Sequence, residues 1–156
     1  METMSPISEG NTVIAPIDQA KEVKQLIESK NLISLDLSEQ GLTKVPAYVF
    51  ERTDLQSLDL SNNNLTGALQ GEIRFLRNLK TLDLSGNKFS GIPAEVGQLK
   101  NLETLDLSNN LLTGLPYELG NLSNLKILDV SGNHYSEADL EVIKKGLSAS
   151  VTIKTE

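Results

Sequence analysis

Leucines recur through the middle of the chain in the string L-x-x-L-x-L. They fall at Leu32, Leu35 and Leu37, then Leu55, Leu58 and Leu60, then Leu79, Leu82 and Leu84, then Leu102, Leu105 and Leu107, and finally Leu125, Leu128 and Val130. The successive offsets are 23, 24, 23 and 23 residues. Three residues after each string comes an amide, at Gln40, Asn63, Asn87, Asn110 and Asn133, and two residues later an apolar or aromatic side chain, at Leu42, Leu65, Phe89, Leu112 and Tyr135. The return path repeats as well, through Val45-Pro46, Leu69-Gln70, Ile92-Pro93 and Leu115-Pro116, then Val49, Ile73, Val96 and Leu119, then Leu76, Leu99 and Leu122. Each copy predicts one short strand, because leucines two apart point to one side of extended backbone while the residue between them points to the other. One copy alone cannot bury that side. Stacking copies about 4.8 Å apart gives a parallel sheet over a continuous leucine column. The connections are too short for a crossover helix with its loops, and their Pro and Gly content predicts extended and 3₁₀ segments.

This pattern resembles the leucine-rich repeat family, directly over residues 32–135. The spacing is mostly similar to the 23-residue bacterial and animal style, whereas Leu65-Thr66-Gly67, Phe89-Ser90-Gly91 and Leu112-Thr113-Gly114 resemble the plant-type repeat. Only the 24-residue block beginning at Leu55 has the plant-type length, and it carries Gln70 where that type has proline. The resemblance implies an α/β fold, a curved right-handed solenoid with a parallel concave sheet, extended or 3₁₀ convex segments and helical caps. It speaks to fold more than to function, since such frameworks serve receptors, inhibitors, scaffolds and adhesins. The extra residue of the long block is expected as a bulge in the return loop around Ala68, with the strand spacing unchanged.

The flanks read as caps, which a solenoid needs to cover its open hydrophobic ends. Residues 1–16 are expected to form a partly disordered segment that gains order near Val13 or Ile14, leading into a single domain over 17–156. An N-terminal cap helix over 17–31 places Ala20, Val23, Leu26 and Ile27 at helical spacing behind Asp18. After the five repeats of 32–135, residues 136–156 form the second cap. There Ser136 and Asp139 make a capping-box-like pair, Leu140, Ile143 and Leu147 form the apolar face, and Gly146 stops the helix. Val151-Thr152-Ile153 is expected as a last edge strand, blunted by Lys154 and Glu156. With both caps the chain reads as a complete small solenoid.

Composition narrows the function. Among 156 residues there is no cysteine and one histidine, which excludes thiolate chemistry and sites of two or three imidazoles. The net charge of −7 argues against a nucleic-acid backbone or an anionic membrane as partner. No apolar run approaches the ~20 residues that span a bilayer, and the N-terminus lacks the basic and apolar regions of a signal peptide. The expectation is a soluble, monomeric chain that is either cytoplasmic or exported after loss of a leader. No catalytic group, cofactor or metal is expected, and the partner is a protein or peptide.

On the outward sheet face, Asp36, Asp59, Asp83, Asp106 and Asp129 line up in one column, beside Ser34, Ser57, Thr81, Thr104 and Ile127 on one flank and Ser38, Ser61, Ser85, Ser108 and Ser131 on the other. Unit charges 4.8 Å apart repel by roughly 0.9 kcal/mol even in water, so the line is an attractor for a basic peptide or a cation. The alternative is a solvated filler in which Asp and Ser bond across strands. Next to the amides, Lys88 and Leu111 depart most from the polar rim and are candidate contact residues. The amide column itself, Gln40, Asn63, Asn87, Asn110 and Asn133, is read as structural, since it can satisfy backbone groups of adjacent turns. The leading functional reading is a protein-interaction module that uses its concave sheet. A spacer unit of a larger assembly and weak cation binding by the Asp line are the alternatives.

Overall fold

The computed structural model describes residues 33–156, together with the backbone of two short strands at Ile7–Glu9 (β1) and Thr12–Ile14 (β2). The cap helix expected over 17–31 lies outside the described residues. Each leucine repeat contributes one three-residue strand: Ser34–Asp36 (β3), Ser57–Asp59 (β4), Thr81–Asp83 (β6), Thr104–Asp106 (β8) and Ile127–Asp129 (β9). Together with β1, β2 and a final strand, Thr152–Lys154 (β10), they form an eight-stranded sheet in the order β1-β2-β3-β4-β6-β8-β9-β10. Pairing from β2 to β10 is parallel and in register, Leu on Leu and Asp on Asp through the repeats. β1 folds back antiparallel on β2 ahead of the repeats, a hairpin that the leucine pattern does not encode.

The strands are short because only the middle residue of each is flanked by outward positions. Leu35, Leu58, Leu82, Leu105 and Leu128 are buried, and the leucines or valine two residues on close the same core. The chain returns through 3₁₀ turns at Ala47–Glu51, Gly71–Phe75, Ala94–Gln98 and Tyr117–Asn121. Each follows a Pro or Gln in extended conformation and buries one apolar residue, Val49, Ile73, Val96 or Leu119, against the inner leucines.

The additional residue of the long repeat is absorbed between Leu65 and Leu69. There Thr66–Ala68 (β5) pairs in parallel with Lys88–Gly91 (β7), forming a small outer sheet whose register steps from Gly67–Phe89 to Ala68–Gly91. The main sheet is undisturbed, with Leu58 still facing Leu82. This outer sheet is an addition to the extended segments that the sequence implies.

At the C-terminus, Glu137–Gly146 (α1) packs on the last 3₁₀ turn, with Ser136 Oγ accepting the Ala138 N–H at 3.2 Å. One detail differs from expectation. Asp139 does not close a capping box; its Oδ2 accepts the N–H of Leu115 at 3.2 Å and ties the cap to the preceding repeat. Gly146 is the last helical residue, where the sequence places the stop, and it also serves close approach, since a Cβ there would lie 2.6 Å from Gly120 O. Beyond the strands, the turn residues Glu39, Asn62, Gly86, Asn109 and Gly132 all take positive φ. The Asn62 amide lies over Gly86, and the Asn109 amide over Gly132, in the space a Cβ would fill.

Candidate concave interaction face

Each aspartate of the line serves its own turn. The Oδ1 atoms of Asp36, Asp59, Asp83, Asp106 and Asp129 accept the backbone N–H of the serine two residues on at 2.9–3.0 Å. At Ser85, Ser108 and Ser131 the hydroxyl donates to the same oxygen at 2.6 Å. The Asp–Ser bonds therefore lie within one turn and do not cross strands, because the chain bends inward at the serine and carries its N–H back toward the carboxylate. Of the serine column, Ser61 and Ser108 are buried, while Ser38, Ser85 and Ser131 are half-buried. What faces outward is the aspartate line with Ser34, Ser57, Thr81, Thr104 and Ile127 beside it, all half-buried. Burial pushes the central carboxyl, Asp83, above its usual range; bonds from Ser85 oppose the shift, and the charges of Asp59 and Asp106 add to it.

At the other end of the strands the face turns mixed. Lys126 Nζ pairs with Glu103 Oε1 at 2.5 Å, and this contact, helped by Lys80, holds the Glu103 carboxyl below its usual range. With Asn101 and Asn124 these residues border a shallow depression of about 320 Å³.

Lys88 and Leu111 are both exposed, but lie elsewhere. Lys88 opens β7 opposite Thr66 in the outer sheet, and Leu111 follows Asn110, its N–H bonded to Phe89 O. They sit beyond the amide turn with His134, so the structure gathers the five aspartates on one sheet and leaves these two on the rim. Of the tyrosines in the return segments, Tyr117 is exposed, while Tyr48 is half-buried with its phenol pushed up to about 12 by burial, against the pull of Arg52.

The amide column runs inside. Asn63 Oδ1 accepts from the N–H groups of Gln40 and Leu42, and its Nδ2 donates to the carbonyls of Leu37, Leu60 and Ser61. Asn87, Asn110 and Asn133 repeat this bridge between their own turn and the one before. Gln40 differs: among the described residues its longer side chain donates to Ser38 O, within its own turn. Replacing Asn87 by alanine is expected to cost about 1–3 kcal/mol. Ser85→Ala should cost less than about 1 kcal/mol, since the Ser85 N–H still reaches Asp83. Urea melts of the two variants check this, and equal costs would overturn the division into inner bridge and outer turn.

A second amide column escapes the leucine-based reading. Asn78, Asn101 and Asn124 donate to the carbonyls of Thr53, Arg77 and Lys100, one turn back, along the opposite rim. Its signal was an asparagine directly before Leu79, Leu102 and Leu125. In the earlier repeat this position is Asp54, which binds Arg52 through Nε at 2.8 Å and Nη2 at 2.6 Å. Arg52 in turn occupies the buried column of Leu76, Leu99 and Leu122. Among the described residues no three His, Cys, Asp or Glu side chains gather as metal ligands, and no helix is long and apolar enough to cross a membrane.

A family model for leucine rich repeats matches residues 30–89 and 77–134. Over 65 residues the chain is 40% identical to leucine-rich repeat-containing protein 3 of Danio rerio, covering 40% of this chain and 24% of that protein. A leucine-rich repeat protein of Leptospira interrogans has a similar structure, with a TM-score of 0.76 at 42% identity, over 86% of this chain and 33% of that one. The crystal structure of the BIR3–SERK2 complex from Arabidopsis thaliana is similar with a TM-score of 0.65 at 35% identity, over 80% of this chain and 68% of that one. This chain thus spans a quarter to a third of the length of the Danio and Leptospira proteins.

Proposed function

The chain belongs to the leucine-rich repeat family, and on that premise we propose that it is a non-enzymatic interaction module whose protein or peptide partner lies across the concave sheet. One observation carries the reading: five carboxylates stand in register on an open parallel sheet, each fixed by its own turn. A partner meeting this face encounters a pre-ordered acidic line, so little side-chain entropy is lost on docking. Support also comes from the similar Arabidopsis structure, which is a complex of two proteins. Carboxylates in such uniform surroundings lack the split environments that acid–base catalysis uses.

A second reading, a spacer unit whose sheet binds nothing, draws on the same bonds. If the aspartates serve only their turns, nothing more is asked of them.

Changing Asp59, Asp83 and Asp106 together to asparagine separates the two, because the amide keeps an Oδ1 acceptor for each turn while removing charge. Stability is expected to stay level or rise by up to about 1 kcal/mol at low salt, with the gain shrinking as salt is added. Because Asp83 titrates above its unfolded value, its ionisation costs stability as pH rises from the ordinary value of 3.8 through the folded one. The variant's advantage over the parent should therefore be smallest in acid and grow across that window. In affinity capture with both proteins, a partner lost only from the variant supports face binding. Identical capture favours the spacer.

A further inference from the structure

The residues just before the strands form a column unlike the aspartate line beside it. In chain order it reads Gln56, Lys80, Glu103 and Lys126, stacked turn on turn by bonds from Lys80 N–H to Gln56 O, from Glu103 N–H to Lys80 O and from Lys126 N–H to Glu103 O, at 2.7–2.8 Å. The backbones of the three charged residues are therefore about one strand spacing, ~4.8 Å, apart. Glu103 is taken by Lys126, whose ammonium meets its Oε1 at 2.5 Å. Lys80 only adds to the field on that same carboxylate, and among the described residues its side chain has no hydrogen bond or ion pair. One ammonium is left over. The depression in front of it, about 320 Å³, has fixed walls, because Asn101 and Asn124 commit their Nδ2 groups to the carbonyls of Arg77 and Lys100.

The surroundings select the occupant. Asp83 stands three residues along the strand from Lys80, about 10 Å away in extended backbone, with Asp59 and Asp106 in register on either side of it. A free anion drawn to Lys80 would have to approach that acidic line on a chain of net charge −7. An acid carried between two bases would not be turned away. An extended backbone laid between the two columns, across the strands, sends alternate side chains to opposite sides. A base-acid-base run therefore turns its bases to the aspartates and its acid to Lys80.

On the premise that the partner lies across the concave sheet, we propose that it presents an extended segment in which an aspartate or glutamate stands between two arginines or lysines, the acid seated in the depression against Lys80 and the bases on the aspartate line. The partner segment is one of mixed charge, not a uniformly basic one.

The test titrates the intact chain with acetyl-Arg-Glu-Arg-amide and acetyl-Arg-Gln-Arg-amide and follows the NMR amide shifts of Thr81 and Thr104. Net charge alone favours the glutamine peptide, which carries one more positive charge. The opposite order is expected, with the glutamate peptide bound about two- to five-fold more tightly, the gain of one exposed ion pair. Lys80→Gln, at an exposed position, should reverse that order, and the Asp59/Asp83/Asp106 asparagine variant should weaken binding of both peptides. Equal affinities, a preference for the glutamine peptide, or a glutamate preference that survives Lys80→Gln would overturn the proposal while leaving the concave face a binding surface. No saturable shift on the sheet with either peptide, or undiminished binding by the asparagine variant, would overturn both.

Discussion

Asp54→Ala is expected to destabilise the fold by about 2–3 kcal/mol, an unusually large cost for a side chain that is one-third exposed. The reason lies in its neighbour. Arg52 is 3% exposed in a column otherwise made of leucine, and Asp54 grips it through two parallel bonds that hold the Asp54 carboxyl below its usual range. Without the carboxylate, a buried guanidinium loses its bidentate partner. The figure stays under the 3–5 kcal/mol of a fully enclosed pair because water reaches Asp54 and because Arg52 also interacts beyond it. The double change Arg52→Leu with Asp54→Asn rebuilds the pattern of the later repeats. It should return stability to within about 1 kcal/mol of the parent or above it, since well-packed apolar groups often match a buried ion pair. Denaturant melts of the parent, Arg52→Leu, Asp54→Asn and the double variant give the coupling energy directly. A coupling near zero would mean that the two residues changed for unrelated reasons. The pair also carries a pH signature: its contribution is present above the unfolded value of Asp54 and fades as pH falls through the lower folded one.

The second large effect belongs to Gly97. Adding one methyl should cost about 3 kcal/mol, because its nearest neighbours are the backbone oxygen and Cβ of Glu118, at 2.5 and 2.7 Å, and backbone cannot rotate aside. Either the 3₁₀ turn at Tyr117–Asn121 moves outward or the stack of leucines beneath it loosens. Gly114→Ala is the control. Its new Cβ would meet nothing nearer than Asp139 Oδ2 at 3.5 Å, an ordinary contact, so the expected change is within about 0.5 kcal/mol and is favourable if the unfolded chain loses freedom. Thermal or urea midpoints of the two variants settle the matter, and similar midpoints would contradict the close stacking of the later turns.

How far these features could be read from sequence depends on whether they live inside one repeat or between unequal repeats. The leucine and amide columns are legible because every copy restates them, so register, strand position and the inner bridge of Asn63, Asn87, Asn110 and Asn133 follow from period alone. The role of the aspartates is harder. Asp and Ser spaced by one residue are compatible with bonds across strands or within a turn, and only the inward bend at Ser61 and Ser108 decides it. The Arg52–Asp54 exchange was visible as two gaps in otherwise regular columns, Arg52 where Leu76, Leu99 and Leu122 stand and Asp54 where Asn78, Asn101 and Asn124 stand. Its meaning required knowing that the gaps touch. The spare ammonium of Lys80 lies furthest from view, since Lys80, Glu103 and Lys126 follow one another at the repeat spacing and only the stacked side chains decide which lysine takes the carboxylate.

The pairing of Asn62 over Gly86 and Asn109 over Gly132 gives the rim a longer rhythm than the core. Inside, the solenoid counts in single turns; at this edge it counts in twos, with 47 residues from Asn62 to Asn109. Deleting a single turn between them would bring an asparagine against an asparagine, and the first amide would have to rotate out of the space its neighbour's Cβ then takes. Adding or removing two turns keeps the alternation whole. The constraint is therefore one of order: a turn carrying asparagine here asks for glycine in the turn that follows, so an engineer lengthening the molecule, or a duplication doing so by accident, keeps this edge undisturbed when no asparagine turn is set directly before another.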